Sequence, residues 1–296
     1  MAVVVIGAGI AGIACARELA DAGVAVRVLE RTDRVGGRMH SPRLDGRPVD
    51  LGAAYFTVRD VTFSGVVLGW RVRRLARPWT DTLAVFENGS RAASAGPMRW
   101  AAPDGLGSLV VDLATGLDIE LNREVRSVGP GPRVDGEPAD AVVLAMPDPQ
   151  AAALVDAAQV QDRAWNPVLA VAMRWPERMW DFPAAFVNGH PLLTGLADDG
   201  DRRDDRAPVL VAHARGGSPQ DVVAAVRELL NLPVPDRVHV HEWSHAAPVD
   251  AREEPFLITD DGIAFAGDGW GSSRVETAWR SGHMLGRALA AAHGPG

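Results

Sequence analysis

The 296-residue sequence predicts an α/β fold built on parallel strands, and three observations indicate it. Residues 3–6 are a short apolar run of the kind that forms a buried strand. Residues 7–12 then read G-x-G-x-x-G, and an amphipathic helical pattern begins within them. A second apolar run over residues 25–29 ends in Glu30. This strand–turn–helix–strand order is typical of a dinucleotide-binding unit.

Each part of the glycine turn has a physical task. Gly7 permits the tight turn, Gly9 lets the backbone approach a pyrophosphate, and Gly12 lets the helix pack against the strand. The helix N-terminus offers unpaired N–H groups and a positive dipole end to the phosphates. Glu30 can accept hydrogen bonds from a ribose diol. A chance glycine turn is the alternative. The predicted cofactor contacts of this unit are Gly7, Gly9, Ile10, Ala11, Gly12, Glu30 and Arg31.

A second glycine motif narrows the kind of cofactor. Gly36 and Gly37 are followed by Arg38 and Met39, shortly after the ribose acid. This pattern resembles the second fingerprint of two-dinucleotide-binding-domain flavoproteins, in which a glycine pair and an arginine approach the FAD pyrophosphate. A flexible turn with a solvated arginine is the alternative.

The composition limits the function and the compartment. A net charge of −8 argues against nucleic acid or an acidic membrane surface as a partner. No apolar run reaches eighteen residues, and the first strand leaves no room for a signal peptide. Cys15, the single cysteine, is predicted to be a small core residue, so no disulfide framework is expected. These features predict a cytoplasmic protein.

The chain contains no lysine, because all 30 basic residues are arginine. Mechanisms that require a lysine are therefore excluded. They include a Schiff base, a P-loop and a lysine that holds water against a flavin.

The middle of the chain offers weaker signals. Gly52, Ala53 and Ala54 are small residues that suit a backbone lying close to a flat ligand. Tyr55 is either a half-buried packing aromatic or a direct part of a flavin pocket. In FAD proteins a strand at the position of the alternating run 124–128 returns to the adenine end of the cofactor, and resemblance to them implies that Val125 offers backbone groups to the adenine.

Other segments follow ordinary patterns. The charge run from Asp198 to Arg206 predicts a solvated loop. Apolar spacing predicts helices over residues 60–77, 106–117, 150–158 and 219–230, and strands over 83–86, 98–100, 118–121, 124–128, 141–145, 168–173, 185–187, 209–213 and 237–243.

The C-terminal region predicts a return to the first sheet. Residues 262–266 form an apolar strand that ends in Gly267 and Asp268, and a long helix follows from about residue 273 to 292. In FAD proteins the acid after such a strand binds the ribityl chain. The next helix N-terminus, at Arg274 and Val275, points its dipole at the flavin ring. Together with the N-terminal motifs, this favours FAD over NAD.

These motifs together resemble the renalase-like branch of the flavin amine oxidase superfamily. The resemblance implies an α/β, p-hydroxybenzoate-hydroxylase-like fold with a GR2-type Rossmann domain, noncovalent FAD and a mixed-sheet substrate domain. We expect residues 1–55, 100–155 and 246–296 in the FAD-binding domain, and residues 56–99 and 156–245 in the substrate domain. The resemblance is carried by residues 7–12, 30, 36–39, 50–59, 145–149 and 267–285.

The resemblance also implies a reaction. Renalases transfer a hydride from 2- or 6-dihydro-NAD(P) to flavin N5, and O2 reoxidises the flavin to give H2O2. No general base is needed, because loss of the hydride leaves a stable cation. This chain departs from the family at Ala54, where many relatives have Gln, and at Ser244 and His245, where many have Arg-Tyr. The exact substrate is therefore open.

Candidate substrate contacts are aromatic or ionisable. Trp243 and Trp270 could enclose a flat ring, and His245 could accept a proton in a different oxidation; packing and structural roles are the alternatives. No metal site is expected, because His239 and His241 lack a third ligand. Two other functions stay open: oxidation or desaturation of an amine or apolar substrate, and flavin binding without catalysis.

Overall fold

The computed structural model describes residues 1–161 and 163–293. Residues 162 and 294–296 fall in the predicted substrate and FAD-binding segments and lie outside the described residues. A short 3₁₀ turn covers Gly37–Met39. The helices are α1 (Ile10–Asp21), α2 (Val61–Val72), α3 (Leu106–Leu113), α4 (Asp148–Ala152), α5 (Asp199–Arg203), α6 (Pro219–Leu230) and α7 (Val275–His293).

The strands are numbered in the same chain order. They are β1 (Val3–Ile6), β2 (Val26–Leu29), β3 (Arg43–Leu44), β4 (Arg47–Pro48), β5 (Phe56–Thr57), β6 (Arg77–Glu87), β7 (Ser90–Ala101), β8 (Ile119–Glu120), β9 (Val128–Gly129), β10 (Arg133–Val134), β11 (Glu137–Pro138), β12 (Ala141–Leu144), β13 (Trp165–Arg174), β14 (Ala184–Asn188), β15 (Leu193–Asp198), β16 (Val209–Ala214), β17 (Arg237–Pro248), β18 (Leu257–Ile258) and β19 (Ile263–Phe265).

The chain divides into two compact units. The first unit comprises Met1–Met39, Val110–Trp165 and Ala247–Gly296, and the second comprises His40–Leu109 and Asn166–Ala246. Residues 40–55, 100–109 and 246 therefore belong to the second unit, and residues 156–161 and 163–165 belong to the first. The functional division into an FAD-binding domain and a substrate domain stays a prediction.

The first unit is built on a six-stranded sheet with the order β18-β19-β12-β1-β2-β8. From β19 to β8 all neighbouring strands are parallel, and only β18 is antiparallel to its neighbour. Val3 on β1 aligns with Val26 on β2 and with Ala141 on β12. Because the chain crosses from β1 to both sides, the sheet has a switch point at the carboxyl end of β1. Ligands of such sheets bind there.

Two glycines of α7 bring it into backbone contact with α1. A Cβ at Gly282 would lie 1.9 Å from the Ala11 carbonyl oxygen, and one at Gly286 would lie 2.6 Å from that of Cys15. No larger side chain fits at either position, so α7 holds α1 in place. Cys15 is fully buried, as predicted, and burial raises the pKa of its thiol to about 12.

The second unit is built on an eight-stranded mixed sheet. Its order is β17-β13-β16-β15-β14-β6-β7-β5, with β14 parallel to β6. Helix α6 covers the predicted residues and begins at a capping box between Ser218 and Asp221. Its buried residues Val222 and Val226 pack into a core cluster that includes Trp175. The mixed sheet and the parallel sheet of the first unit together confirm the predicted α/β class.

The prediction of a solvated loop over residues 198–206 is wrong. Residues 199–203 form helix α5, and the side chains of Asp199, Arg202 and Arg203 are buried. Asp199 forms ion pairs with Arg202 and Arg203 one helical turn away, and with Arg47. These arginines hold the pKa of the Asp199 carboxyl below its usual range against the opposing effect of burial. The charges are buried because they neutralise one another.

Several shorter elements also differ from expectation. The helix predicted over residues 60–77 ends at Val72, and Arg77 already begins β6. The predicted helix over residues 106–117 ends at Leu113, and the one over 150–158 covers Asp148–Ala152. Of the strand expected over residues 124–128, only Val128 lies in a strand, because the Asp135 carboxylate accepts the N–H groups of Arg126 and Ser127 at 2.8 and 3.0 Å. Those amides are therefore unavailable for a sheet ladder. Among the described residues, no helix is long and apolar enough to cross a bilayer.

Candidate functional site

The three glycines of the first turn have different environments. Gly7 has a φ of +102°, and a Cβ there would lie 2.7 Å from the Ala145 carbonyl oxygen. A Cβ at Gly12 would lie only 2.0 Å from the Gly7 carbonyl oxygen. A Cβ at Gly9 would meet nothing within 4 Å. The fold itself therefore requires glycine at positions 7 and 12 but not at position 9, where ligand approach is the remaining reason for it.

Helix α1 begins directly at this turn without a side-chain cap. Gly9 is its N-cap in an extended conformation, and the first turn contains no acidic residue. Ile10 and Ala11, the first helical residues, are buried. An uncapped N-terminus carries unpaired N–H groups and a positive dipole end, which together bind phosphate well.

Glu30 anchors the turn to the end of β2. One carboxylate oxygen accepts the Ala8 N–H at 2.9 Å, and the other accepts the Thr32 N–H at 2.9 Å and the Thr32 hydroxyl at 2.8 Å. A carboxylate has about four acceptor positions, so one position stays available for a further donor. The side chain is only 9% exposed. This arrangement is compatible with a ribose hydroxyl as the fourth partner.

The second glycine motif packs directly on the first. The Gly36 N–H donates to the Ala8 carbonyl at 2.9 Å, and Gly36 forms a parallel bridge with Gly9. Gly37 has a φ of +53°, and a Cβ there would lie 3.3 Å from the Gly9 Cα. Arg31, between the motifs, is exposed, and Met39 is buried. The structure thus brings the two predicted fingerprints into backbone contact.

Arg38 connects this motif to the C-terminal one. Its guanidinium forms a two-pronged ion pair with the Asp268 carboxylate, at 2.5 and 3.0 Å. The Ser273 hydroxyl donates to the same carboxylate at 2.9 Å, and the Gly267 N–H donates to the Ser281 hydroxyl at 2.9 Å. Asp268 is 5% exposed. Motifs at opposite ends of the sequence therefore meet at one buried, neutralised carboxylate.

Arg274, directly before α7, and Val275, its first residue, differ in exposure. Arg274 is exposed and Val275 is buried. Val125 is buried in the loop before β9, and packs in the core cluster of the first unit. The ligand contacts predicted for these three residues stay predictions.

A cluster of side chains in the first unit was not predicted from the sequence. Asp148 accepts hydrogen bonds from the Trp165 indole at 2.9 Å and from Arg252 at 2.6 Å. The Arg252 guanidinium lies 4.1 Å from the centroid of the Trp270 ring. The sequence could have indicated Asp148 as a site residue, because it closely follows a parallel strand, at the sheet edge where ligands bind. No sequence pattern indicates Arg252 or Trp165, because only the tertiary structure brings these two residues together.

The remaining predicted residues belong to the second unit. There, side chains from other elements donate hydrogen bonds to the backbone carbonyl groups of the loop from Asp50 to Ala54. The Leu51 carbonyl accepts the Trp243 indole N–H at 3.0 Å and lies 3.2 Å from the His213 ring nitrogen. Burial lowers the pKa of His213 to about 4, so the ring is neutral and donates this bond.

Arg202 completes that support. It donates to the carbonyl of Asp50 at 2.7 Å and to that of Ala54 at 2.9 Å. Tyr55 packs near Trp79, with the ring centroids 6.3 Å apart. Gly52, Ala53 and His245 are partly exposed. The structure places Trp243 against the loop at 50–54, and the predicted substrate roles in this unit stay predictions.

Comparisons with known proteins place these features in context. The sequence profile described as "flavin containing amine oxidoreductase" matches residues 10–67 and 63–285. A protein named probable polyamine oxidase 4, from Arabidopsis thaliana, is 53% identical over 53 residues, which are 18% of this chain. The match spans 11% of that relative's length.

Two solved structures share the fold. A putative protoporphyrinogen oxidase from an Exiguobacterium species aligns with a TM-score of 0.80 at 14% identity, covering 98% of each chain. Cyclohexylamine oxidase from Brevibacterium oxydans aligns with a TM-score of 0.77 at 16% identity, covering 98% of this chain and 99% of the other. These alignments confirm the predicted fold class of two-domain FAD enzymes. Because the family profile covers most of the sequence, the chain belongs to the flavin-containing amine oxidoreductases, and the predicted flavin cofactor is confirmed.

Proposed function

We propose that this chain is an FAD-dependent oxidase of the renalase-like type. Its substrate would be a dihydronicotinamide isomer, 2- or 6-dihydro-NAD(P). Bound FAD would supply a hydride acceptor at N5 and a route for two electrons to O2, which gives H2O2. One dihydronicotinamide, one O2 and one proton from the solvent give one NAD(P)⁺ and one H2O2. The FAD is held without a covalent bond.

The observation that carries this proposal is that the carboxylates in the cofactor loops are engaged in ion pairs or hydrogen bonds. Asp268 is paired with Arg38, Asp148 is paired with Arg252, and Glu30 accepts three hydrogen bonds. Groups engaged in this way bind and orient a ligand, and are poorly suited to removing a proton from it. Loss of a hydride from a dihydronicotinamide needs no proton acceptor, because the product is an aromatic cation.

The open N-terminus of α1 and the two glycine motifs support the cofactor part of the proposal. We propose that the pyrophosphate lies at this N-terminus, that Glu30 binds the ribose, and that Asp268 binds the ribityl chain. The residues proposed to hold FAD are Gly7, Gly9, Ile10, Ala11, Gly12, Glu30, Arg31, Gly36, Gly37, Arg38, Met39, Gly52, Ala53, Ala54, Val125, Gly267, Asp268, Arg274 and Val275. Substrate roles for Tyr55, Trp243, His245 and Trp270 are part of the same proposal.

Oxidation of an amine is the second candidate function. The observation that favours it is the sequence similarity, over 53 residues, to a protein named probable polyamine oxidase 4. An amine is protonated at neutral pH, so it must lose a proton before it can lose a hydride. Amine oxidases of this superfamily typically use a lysine to position a water molecule at flavin N5. This chain contains no lysine, which argues against amine oxidation. A non-catalytic flavin-binding protein is the third candidate.

Measurement of H2O2 production separates these candidates. The holoprotein is given 2-dihydro-NAD and 6-dihydro-NAD in one series, spermine and cyclohexylamine in a second, and the ordinary 4-dihydro isomer as a control. We expect peroxide and an equal amount of NAD⁺ with at least one isomer of the first series only. Peroxide with the amines alone would favour the second candidate, and no peroxide in any series would favour the third.

A further inference from the structure

A short loop between β19 and α7 has an unusual backbone. Residues 267–271 include three glycines, and Gly267 and Gly271 have φ values of +144° and +146°. Glycine loses more conformational freedom on folding than other residues do, so such a loop needs support to keep one conformation. The same loop carries Asp268, which is paired with Arg38, and Trp270.

Arg252 also contacts this loop. One terminal nitrogen donates to the Gly269 carbonyl at 2.8 Å and to Asp148 at 3.2 Å. The second donates to Asp148 at 2.6 Å and to the Gln159 carbonyl at 2.8 Å. The guanidinium also stacks on Trp270, 4.1 Å from the ring centroid. The side chain is 10% exposed, so these bonds form largely away from water.

The space around Gly269 shows how closely these groups pack. A Cβ at this position would lie 3.0 Å from an Asp148 carboxylate oxygen and 3.0 Å from the Trp165 ring. Trp165 donates to Asp148 at 2.9 Å, and the Arg38 guanidinium lies 5.1 Å from its ring centroid. These contacts form a continuous series, in the order Asp268, Arg38, Trp165, Asp148, Arg252 and Trp270, and its two ends lie two positions apart in the sequence.

We propose that Arg252, held by Asp148, is a positioning residue that fixes residues 267–270 in the conformation that binds the cofactor. This inference rests on the proposed function, which assigns Asp268 to the ribityl chain. Its basis is the pattern of bonds: a nearly buried guanidinium places a hydrogen bond on the Gly269 carbonyl and its flat face on Trp270. These two residues follow Asp268 directly in the sequence.

The test is the FAD dissociation constant of the apoprotein, measured by flavin fluorescence quenching. Arg252→Met should raise it about tenfold, which corresponds to the loss of one hydrogen bond to a charged group. The Asp148→Asn/Arg252→Met double variant leaves no unpaired buried charge and should show a similar rise. Arg252→Lys should give an intermediate value, because a lysine can reach Asp148 but does not form the two-pronged, stacked contact. Arg287→Met, at an exposed position of α7, is the matched control and should leave the constant unchanged.

The flavin reduction potential tests whether the Arg252–Asp148 pair acts beside the cofactor. Loss of a distant stabilising pair would weaken the binding of oxidised and reduced FAD equally and leave the potential of the single variant unchanged. Arg252→Met leaves the negative charge of Asp148 uncompensated beside the loop, so it should lower the potential, because reduced flavin carries more negative charge. The double variant removes that charge but does not restore the hydrogen bond to Gly269, so its potential should return toward the wild-type value while its FAD affinity stays low; restored affinity would show that Arg252 contributes only charge balance and does not position the loop.

Two results would overturn the inference. If the wild-type protein binds FAD and the single and double variants bind it equally well, Arg252 does not position the loop, although the proposed function stands. If the wild-type protein binds no FAD, the proposed function fails and the inference fails with it.

Discussion

At the scale of single residues, two glycines in one turn should respond in opposite ways to the same substitution. Gly9→Ala meets open space at a φ of −74°, so the apoprotein should be as stable as the wild type or slightly more stable. Its methyl group should nevertheless obstruct a pyrophosphate and weaken FAD binding at least about tenfold. The measurement is a thermal melt of the apoprotein together with an FAD titration.

Gly12→Ala is the companion variant. Its Cβ would overlap the Gly7 carbonyl oxygen at 2.0 Å, so we expect a loss of stability of about 3 kcal/mol. Normal FAD affinity in Gly9→Ala would show that no ligand approaches the backbone at position 9. A normal melting temperature in Gly12→Ala would contradict the close contact between α1 and the turn.

Glu30 is the second residue whose role can be tested directly. Glu30→Gln keeps the shape of the side chain but removes the charge that strengthens its bonds to the Ala8 and Thr32 donors. We expect about tenfold weaker FAD retention, because hydrogen bonds to a charged group are stronger than neutral ones. Glu124→Gln, at an exposed position of the same unit, is the control. Equal flavin content in both purified variants would refute the proposed ribose contact.

At the scale of elements, helix α5 depends on charges that neutralise one another. Arg202 is fully buried between Asp199 and the loop at residues 50–54, so Arg202→Gln removes both an ion pair and two bonds to carbonyl groups. Removing one partner of a buried pair costs about 3 kcal/mol or more. Arg206→Gln, an exposed arginine of the same charge run, should change stability by less than about 0.5 kcal/mol. Chemical denaturation measures both, and equal stabilities would contradict the buried network.

The partly buried side chain of His213 leads to a second prediction at this scale. Its pKa is lowered to about 4, whereas an unfolded histidine titrates near 6.5. Above pH 7 the ring is neutral in both states and contributes no pH dependence. As the pH falls from 6.5 to 4, only the unfolded chain takes up the proton, so the folded state loses up to about 3 kcal/mol.

The His213→Gln variant isolates that contribution. Glutamine can still donate to the Leu51 carbonyl but does not titrate, so the stability of the variant should fall less steeply between pH 6.5 and 4. The difference between the two pH profiles, measured by urea denaturation, reports the ring alone. Parallel profiles would mean that His213 is readily protonated in the folded protein.

At the scale of the whole molecule, the sequence predicts local motifs well. It predicts poorly which charged side chains form ion pairs with residues distant in the sequence. The glycine turn, the end of β2 and the strand before Asp268 were recognisable, because each function depends on residues a few positions apart. The loop at residues 198–206 was misassigned, because its charges are neutralised partly by Arg47, about 150 residues away in the sequence. No pattern of polar residues indicates such a partner.

The same limit applies to the candidate site. Asp268 was predicted, but its pairing with Arg38 joins positions 230 residues apart. The sequence does not single out Arg252 or Trp165 for a related reason. An arginine in a polar segment is usually solvent-exposed, and a tryptophan at the start of a strand is usually a core residue. Their contacts with Asp148 and Trp270 exist only in the folded first unit.

The central claim is that the chain holds FAD and passes a hydride from a dihydronicotinamide isomer to it. One measurement tests this directly: the visible flavin spectrum after anaerobic mixing of the purified protein with a borohydride-made pool of dihydronicotinamide isomers. We expect rapid bleaching of the flavin, and return of its colour with formation of H2O2 when air is admitted. A flavin spectrum that stays unchanged with this pool would contradict the claim.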